Sequence, residues 1–324
     1  MSFDLSRRDF FLTSAATLAA TGATVASSAA RAADAKSATE GHPFRYCLNT
    51  STIRECQYQG KKVDVVAEVE IAAKAGYTGI EPWIRSLDTY TKSGGSLSDL
   101  RKRIADAGLT VESAIGFSAF LHEDEVKRKE GLEEAKRCMG LVREIGGERL
   151  AAPPVGVTDK TGLDLLQLSA RYHALCEVGQ QEGVYPQLEL WGFSKTLSRL
   201  GEAAFVGIEA AHPKACFLLD VYHIYKGGSD FEGLNMFAGR RMYNFHVNDY
   251  PAEPPRATIN DAARVYCGDG VAPLTDIFRT LRDNGYRGVL SLELFNPSYW
   301  KQDGLEVAQT GLEKTKAAVA KAFA

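Results

Sequence analysis

The 324-residue sequence lacks several features that mark specialised classes of protein. It contains only 11 Pro and 6 Cys, no cysteine pair spaced C-x-x-C, and no block of basic residues beyond its N-terminus. These absences exclude Pro-rich disordered chains and zinc fingers, and they leave no electrostatic footprint for nucleic acid. The net charge is -3 and 45% of the residues are hydrophobic, as in ordinary globular proteins. We therefore expect a small-molecule partner and no nucleic acid.

The N-terminal segment predicts export from the cytoplasm. Arg7 and Arg8 precede a weakly apolar run of Ala, Ser and Thr, which ends in a small-x-small triplet at Ala32. This pattern is typical of a twin-arginine signal peptide over residues 1–32, followed by a polar linker over 33–43. The run has too few strongly apolar residues for a membrane span, so we expect no stable membrane insertion of the mature chain. A periplasmic or otherwise extracytoplasmic protein, folded before export, is the expected product.

We predict that most of the cysteines pack in the hydrophobic core. Cys47, Cys138, Cys176 and Cys216 fall in apolar segments, where a thiol packs as a small hydrophobic side chain. An oxidising compartment permits a disulfide between Cys47 and Cys56, but the sequence does not establish that pairing.

From residue 44 to 324 the chain repeats a short apolar strand followed by a segment of helical periodicity. Strands are predicted at Phe44–Thr50, Tyr77–Trp83, Leu109–Phe117, Glu148–Val155, Tyr185–Trp191, Ala215–Tyr222, Met242–Asn248 and Gly288–Phe295. Helices are predicted at about 63–75, 96–107, 123–145, 164–182, 196–211, 230–239, 273–284 and 303–323. Eight such units in roughly 280 residues favour an α/β fold of one domain, the closed (β/α)8 TIM barrel. An open doubly wound sheet stays an alternative, because the sixth helix is short and Gly-rich.

The last four predicted strands share one pattern, in which a polar residue stands between two apolar ones. These polar residues are Glu189, Asp220, His246 and Glu293. Because side chains alternate along a strand and barrel chemistry gathers where strands end, all four are expected to converge at one mouth. No Lys or Arg occupies a matching strand end, so the expected counter-charge is one divalent metal ion. Three carboxylates and one imidazole favour Mn(II), with Mg(II) or Co(II) as alternatives.

Five motifs in this order carry a family resemblance. They are Leu-Glu-Leu-Trp (188–191), Leu-Asp-Val-Tyr-His (219–223), Phe-His-Val-Asn-Asp (245–249), Gly-Asp-Gly (268–270) and Leu-Glu-Leu-Phe (292–295). The set resembles the xylose isomerase-like barrel superfamily, in particular ketose 3-epimerases and inosose dehydratases. The resemblance implies that Glu189, Asp220, His246 and Glu293 bind the metal. It also implies that His223 contacts the substrate.

Two departures from the epimerase pattern put free ketohexose in doubt as the substrate. Lys195 lies in a loop where the epimerases carry an acid, and Arg256 follows the seventh strand later than their arginine does. Both are candidates to contact an acidic group on a sugar, with plain solvation as the alternative. Glu81 ends the second strand and is expected to hold a substrate hydroxyl, to orient a ligand or to make a structural hydrogen bond. Trp191 is one of several aromatic residues expected to line a sugar pocket.

The resemblance implies a metal-dependent isomerase or epimerase that acts on a keto-sugar, inosose or sugar derivative through a metal-bound enediolate. Glu189 and Glu293 are the predicted catalytic pair, one removing the proton alpha to the carbonyl and the other returning a proton to the opposite face. A lyase of the inosose dehydratase type, or one acting on 3-keto-glycosides, is the alternative with the same metal site. A sugar-binding protein without metal also stays open, whereas six histidines are too few for a three-zinc nuclease on this barrel. The oligomeric state is left open, a homo-oligomer included.

Overall fold

Strands and helices alternate along the part of the chain that the structure, a computed structural model, describes, residues 42–324. The predicted signal peptide over 1–32 and nearly all of the 33–43 linker lie outside the described residues. The barrel strands are β1 (Arg45–Asn49), β4 (Gly79–Glu81), β5 (Thr110–Val111), β6 (Arg149–Ala152), β7 (Tyr185–Glu189), β8 (Cys216–Asp220), β9 (Met242–Val247) and β10 (Val289–Leu292); β2 (Gln57–Tyr58) and β3 (Lys61–Lys62) form a separate antiparallel hairpin.

The helices surround these strands. They are α1 (Val65–Ala75), α2 (Ile84–Lys92), α3 (Leu97–Asp106), α4 (Glu125–Glu144), α5 (Leu165–Glu182), α6 (Leu200–Glu209), α7 (Val221–Gly227), α8 (Leu274–Asp283) and α9 (Gly304–Phe323). Asp64, Asp124, Asp164 and Asp303 each cap a helix by accepting a hydrogen bond from a backbone N–H of its first turn. Short polar residues before an apolar periodic run thus explain where α1, α4, α5 and α9 begin.

The eight barrel strands are parallel and close on themselves. Their order is β5-β4-β1-β10-β9-β8-β7-β6. Beyond β5, the N–H of Ala114 donates to the carbonyl of Arg149 (3.2 Å), and the N–H of Ala151 donates to the carbonyl of Ala114 (2.9 Å). These bonds join β6 to the segment after β5, so the predicted closed barrel of one domain is confirmed and the open doubly wound sheet is excluded.

The apolar flanks of the strand-end motifs pack away from the barrel interior. Leu188, Leu219, Phe245 and Leu292 are at most 1% exposed and belong to the main hydrophobic core between strands and helices. Their polar neighbours along each strand therefore face the opposite side, towards the barrel axis. This alternation is the reason that residues on different strands reach one site.

The structure corrects the sequence prediction in the sixth unit. In place of a helix over 230–239, α7 begins directly after β8, and a 3-10 segment follows at Phe231–Met236. The Asp220 carboxylate caps α7 by accepting a hydrogen bond from the N–H of His223 (2.9 Å), and Gly228 ends the helix with a φ of 78°. The third barrel strand, β5 (Thr110–Val111), is also shorter than the predicted Leu109–Phe117, and α2 had no counterpart in the prediction.

The six cysteines are all buried, and each is a free thiol in the described structure. No disulfide joins Cys47 to Cys56, so the pairing permitted by the sequence is absent. Burial raises the pKa of the Cys56 thiol to about 12, which keeps it protonated at neutral pH. Within residues 42–324, no helix has the length and apolar character needed to cross a membrane.

Candidate metal centre and active site

Three of the predicted metal ligands meet at the carboxyl ends of neighbouring strands. Asp220 is the last residue of β8, His246 lies in β9, and Glu293 directly follows β10. The strand register places Asp220 beside His246. All three side chains are buried, and one ligand atom from each lies within 4.8 Å of the other two. We call Asp220, His246 and Glu293 the triad.

His246 turns one ring nitrogen towards the carboxylates of the triad. Its Nδ1 lies 3.2 Å from Glu293 Oε2 and 3.6 Å from Asp220 Oδ2. Its Nε2 lies 2.9 Å from Glu81 Oε2, where the ring N–H donates to the carboxylate. Burial opposes protonation of His246, but the charges of Glu293 and Glu81 and the closeness of the Asp220 carboxylate raise its pKa well above the ordinary value, so the ring is positively charged without a metal ion. A bound metal ion would replace the proton on Nδ1, and with Nε2 donating to Glu81 the lone pair of Nδ1 would then face the ion. Nδ1 makes no hydrogen bond with any described residue although the side chain is fully buried, as expected for a nitrogen that binds a metal ion.

Glu81 lies behind His246 and does not line the cavity. Its Oε2 also accepts hydrogen bonds from the Asn49 side chain (3.0 Å) and the Ser291 hydroxyl (2.7 Å). Burial opposes ionisation, but the charge of His246 and these hydrogen bonds outweigh it, so the pKa of Glu81 falls below its ordinary value. Of the roles predicted for Glu81, the geometry suits the orientation of a ligand rather than a direct contact with substrate.

Arg264 supplies a positive charge that the sequence analysis missed. Its Nη1 donates to Asp220 Oδ2 (2.8 Å) and Glu293 Oε2 (2.9 Å), and its side chain is fully buried. The expectation that the carboxylates lack a basic partner was wrong, because it considered only strand ends and Arg264 comes from the long loop between β9 and α8. Burial opposes ionisation of Asp220, but Arg264 and the nearby histidines hold its pKa well below the ordinary value.

The triad fits a divalent ion with Arg264 in place. A carboxylate oxygen has two lone pairs, so Glu293 Oε2 can accept from Arg264 and still offer a pair to a metal. Asp220 Oδ2 accepts from Arg264 (2.8 Å) and from the Asn248 amide (3.2 Å); because that amide also reaches Oδ1 (3.3 Å), it could leave Oδ2 to a metal. The unpaired Nδ1 of His246 completes a set of carboxylate oxygen and imidazole donors, which suits Mn(II) and related ions. The residues that would hold the ion are therefore Asp220, His246 and Glu293.

Glu189, the fourth predicted ligand, lies beside the triad and outside its 4.8 Å group. It ends β7, is 4% exposed and lines the cavity above the triad. Burial, reinforced by the negative charges of Glu293 and Asp220, raises the pKa of Glu189 well above its ordinary value, and His246 only partly opposes this. A carboxyl group with these surroundings is suited to accept and return a proton.

The cavity has a volume of about 510 Å³, large enough for a sugar-sized molecule. Of the residues predicted to contact substrate, His223 and Trp191 line it. The His223 Nε2 lies 3.1 Å from Arg264 Nη2. Burial and the charge of Arg264 lower the pKa of His223, which keeps its imidazole neutral. Arg256 and Lys195 are exposed and lie outside the lining.

Asn49 and Arg264 lie at the site but belong to none of the five motifs, whereas Asn248 belongs to the motif at 245–249 and was given no role of its own. Asn49 donates to Glu293 Oε1 (3.0 Å) as well as to Glu81, and Asn248 donates to Asp220 Oδ2 (3.2 Å). Arg264 lies four residues before Gly268, in a segment without strand or helix periodicity. Charge balance is the one signal in the sequence that could have indicated Arg264, because a single imidazole cannot neutralise three buried carboxylates.

The protein is a closed barrel with a buried carboxylate–imidazole cluster at the carboxyl ends of its strands. This is the place where barrels of this class carry their active sites. The profile of one family, described as xylose isomerase-like TIM barrel, matches residues 69–318. The chain therefore belongs to the xylose isomerase-like TIM barrel family, as its motifs indicated.

Curated relatives are isomerases and dehydratases. The chain is 27% identical over 287 residues to an inosose isomerase of Bacillus velezensis, covering 86% of this chain and 99% of the relative. It is 26% identical over 255 residues to a 3-dehydroshikimate dehydratase of Pseudomonas aeruginosa, covering 75% of this chain but only 37% of that protein.

Solved structures share the fold. A crystal structure of the IOLI protein with a bound zinc atom superposes with a TM-score of 0.76 at 23% identity, covering 86% of this chain and 99% of that one. L-ribulose 3-epimerase superposes with a TM-score of 0.70 at 19% identity, covering 86% of this chain and 95% of that one.

Proposed function

We propose that the protein is a divalent-metal-dependent isomerase or epimerase that acts on a keto-sugar, an inosose or a related sugar derivative. Its family and its inosose isomerase relatives support the reaction class. The triad supports the metal dependence, and its donor set favours Mn(II), although the IOLI protein binds zinc. We also propose, from the twin-arginine pattern alone, that the enzyme works outside the cytoplasm.

Glu189 is the group that we assign to removing the proton alpha to the substrate carbonyl. A divalent ion at the triad would polarise the carbonyl and acidify the adjacent C–H bond. Glu189 lines the cavity and forms no ion pair with Arg264, whose side chain holds Asp220 and Glu293. Burial raises the pKa of Glu189 above its ordinary value, which makes its carboxylate a stronger base.

Glu293 is less free to act as the second base. Its Oε1 accepts from Asn49 (3.0 Å) and its Oε2 accepts from Arg264 (2.9 Å), so each oxygen is held by one donor and keeps one lone pair, which a metal ion at the triad could use. Of the predicted catalytic pair, we therefore propose that Glu293 mainly binds the metal and that Glu189 is the base. In an isomerisation Glu189 itself can return the proton to the neighbouring carbon on the same face, whereas an epimerisation needs a proton on the opposite face, which a water molecule held by Glu293 can deliver. His223 and Trp191 are placed to hold the substrate in the cavity.

A lyase is the second candidate. The 3-dehydroshikimate dehydratase relatives support it, since proton removal alpha to a carbonyl also starts the expulsion of a β-hydroxyl group. The same arrangement of Glu189 and triad serves both reactions, and product analysis separates them.

The observation that carries the proposal is the position of Glu189 in the cavity beside the triad. Incubation of the metal-loaded enzyme with an inosose in deuterated water should place deuterium at the carbon next to the carbonyl. Glu189→Gln should slow this exchange by about 100- to 10,000-fold while metal is retained. Glu112→Gln is the matched control, since Glu112 is a buried glutamate that pairs with Arg45 and does not line the cavity. Exchange at the wild-type rate in metal-replete Glu189→Gln would rule out this assignment.

A further inference from the structure

Two arginines on the wall of the cavity form no salt bridge with any acidic residue in the part of the chain that the structure describes. Arg54 follows β1, Arg85 is the second residue of α2, and both line the cavity that holds Glu189 and Glu293. Within residues 42–324, neither guanidinium forms an ion pair or a hydrogen bond with another side chain. The buried Nε of Arg54 has no hydrogen-bond partner among the described residues. An arginine whose donors are all unused beside a binding cavity is suited to receive a ligand.

Aromatic rings hold the Arg54 guanidinium in place. Its central carbon lies 4.8 Å from the ring centre of Trp300, 5.1 Å from that of Phe295 and 5.3 Å from that of Trp83. Trp300 is itself fixed by a hydrogen bond from its Nε1 to the carbonyl of Ser51 (3.0 Å). Stacking uses the faces of a guanidinium and leaves its in-plane N–H groups for hydrogen bonds. The side chain is therefore pre-organised as a fork of free donors.

Arg85 adds a second positive charge to the same place. Its guanidinium carbon lies 4.9 Å from the Trp83 ring centre, so both arginines stack on one tryptophan. Burial and the charge of Arg85 lower the pKa of Arg54, as expected for like charges held together. The acidic neighbour Glu55 attracts both guanidinium groups at longer range, but its ion pair is with Lys62 (2.6 Å). The two arginines thus leave an excess of positive charge that an anion would neutralise.

Arg54 is separated by one aromatic ring from Arg264, the arginine that binds the carboxylates of the triad. The Phe295 ring centre lies 5.1 Å from the Arg54 guanidinium carbon and 5.0 Å from that of Arg264, which holds Asp220 and Glu293. A ring-shaped substrate with its carbonyl at the triad would therefore direct a substituent towards Arg54.

We propose that Arg54 and Arg85 form a subsite for an anionic group of the substrate, a carboxylate or a phosphate, so that the enzyme prefers an acidic sugar derivative or cyclic keto acid to a neutral one. This inference rests on the proposed function for the place of the carbonyl. The relatives named above include enzymes for a neutral ring ketone, an inosose, and for one that bears a carboxylate, 3-dehydroshikimate. These two compounds are suitable probes.

Calorimetric titration of the metal-loaded enzyme with each probe tests the subsite. Wild type should bind 3-dehydroshikimate more tightly than the inosose. Arg54→Met keeps an apolar stem against the tryptophans and should weaken binding of 3-dehydroshikimate by about 10- to 100-fold, with less than about a threefold effect on the inosose. Arg85→Gln should have the same selectivity with a smaller loss, because Arg85 is more exposed. Arg256→Gln removes an exposed arginine outside the cavity and should change neither affinity.

Inorganic phosphate separates the two anions. Competition by phosphate that disappears in Arg54→Met assigns a phosphate to the subsite, and binding of 3-dehydroshikimate that depends on Arg54 without such competition assigns a carboxylate. Arg54→Lys, which keeps the charge without the fork, should bind 3-dehydroshikimate with intermediate affinity and so exclude misfolding as the cause of loss.

Equal loss of both probes in Arg54→Met, or failure of wild type to bind either anion, would overturn the inference. Binding and turnover distinguish it from the proposed function. Binding of the anion that depends on Arg54 without any turnover supports the subsite and contradicts the reaction. Turnover of the inosose with affinity for the anion indifferent to Arg54 supports the reaction and contradicts the subsite.

Discussion

Glu81 and His246 form a fully buried carboxylate–imidazole pair, with Glu81 Oε2 2.9 Å from His246 Nε2. The two residues are 165 positions apart in the sequence, and the barrel brings their strands together. The pair fixes the tautomer and orientation of the imidazole, so that Nδ1 faces Asp220 and Glu293.

Glu81→Gln should weaken metal binding by about 10- to 100-fold without unfolding the barrel, because a neutral amide holds the imidazole less firmly and makes it a weaker donor. The measurement is the dissociation constant for Mn(II) by calorimetry. Glu68→Gln, a buried glutamate on α1 that does not touch the triad, is the control and should leave that constant unchanged. An unchanged constant for Glu81→Gln would show that the pair is not needed to orient His246.

Arg264→Met should destabilise the metal-free protein more than the metal-loaded one. Without Arg264, Asp220 and Glu293 are buried beside each other without their basic partner, which should lower the free energy of unfolding by about 3–5 kcal/mol. A bound divalent cation restores part of that loss. Melting temperatures in chelator and in Mn(II) should therefore differ more for this variant than for wild type. Arg256→Met, at an exposed site, is the control; equal melting of Arg264→Met and wild type in chelator would contradict this role.

Glu68 should make stability depend on pH. Burial raises the pKa of Glu68 from 4.5 to about 8 in the folded protein, and its Oε2 has no hydrogen-bond partner among the described residues. Because the folded pKa lies above the unfolded one, the contribution of Glu68 to stability is fully present below about pH 4.5 and is lost as the pH rises through about 8. The slope in that window reaches up to about 1.4 kcal/mol per pH unit.

Denaturant unfolding of wild type and Glu68→Gln at pH 5 and pH 8 measures this effect. The free energy of unfolding of wild type relative to the variant should fall between the two values, since glutamine does not titrate. A constant difference between the two proteins would mean that Glu68 has an ordinary pKa.

Export is a proposal that rests on the sequence alone, because the segment concerned lies outside the described residues. Changing Arg7 and Arg8 together to Lys should leave the precursor in the cytoplasm, whereas changing Arg31 to Lys near the expected cleavage site should not. Fractionation and immunoblotting detect the difference. Undiminished export of the double variant would show that another route is used.

The sequence predicted the barrel and the strand-end residues because both depend on local patterns. Strand periodicity and helix caps such as Asp64 depend only on residues close together in sequence. Alternation along a strand points Asp220 and His246 towards the barrel interior independently of the conformation of the loops. The early start of α7 was missed, since it depends on the Asp220 side chain capping a helix that has little periodicity of its own.

Residues from irregular loops could not be predicted in this way. Arg264 lies 18 positions after His246 in sequence, yet its guanidinium reaches Asp220 and Glu293. Arg256 was the arginine predicted to contact substrate, because it follows the seventh strand in sequence. The path of the loop leaves its side chain exposed. The position of the Arg54 guanidinium depends on three aromatic rings from separate segments of the chain. No sequence spacing relates these rings to one another or to Arg54.

The metal content of the purified mature chain tests the central proposal most directly. Elemental analysis after mild purification should find about one divalent ion per chain in wild type, because three donors on rigid neighbouring strands pre-organise the site. Asp220→Asn and His246→Ala should each lose the ion together with activity, while Glu112→Gln keeps both. A wild-type enzyme that is fully active on a keto-sugar without stoichiometric metal, or variants of the triad that keep the ion, would contradict the assignment of Asp220, His246 and Glu293 as the metal centre.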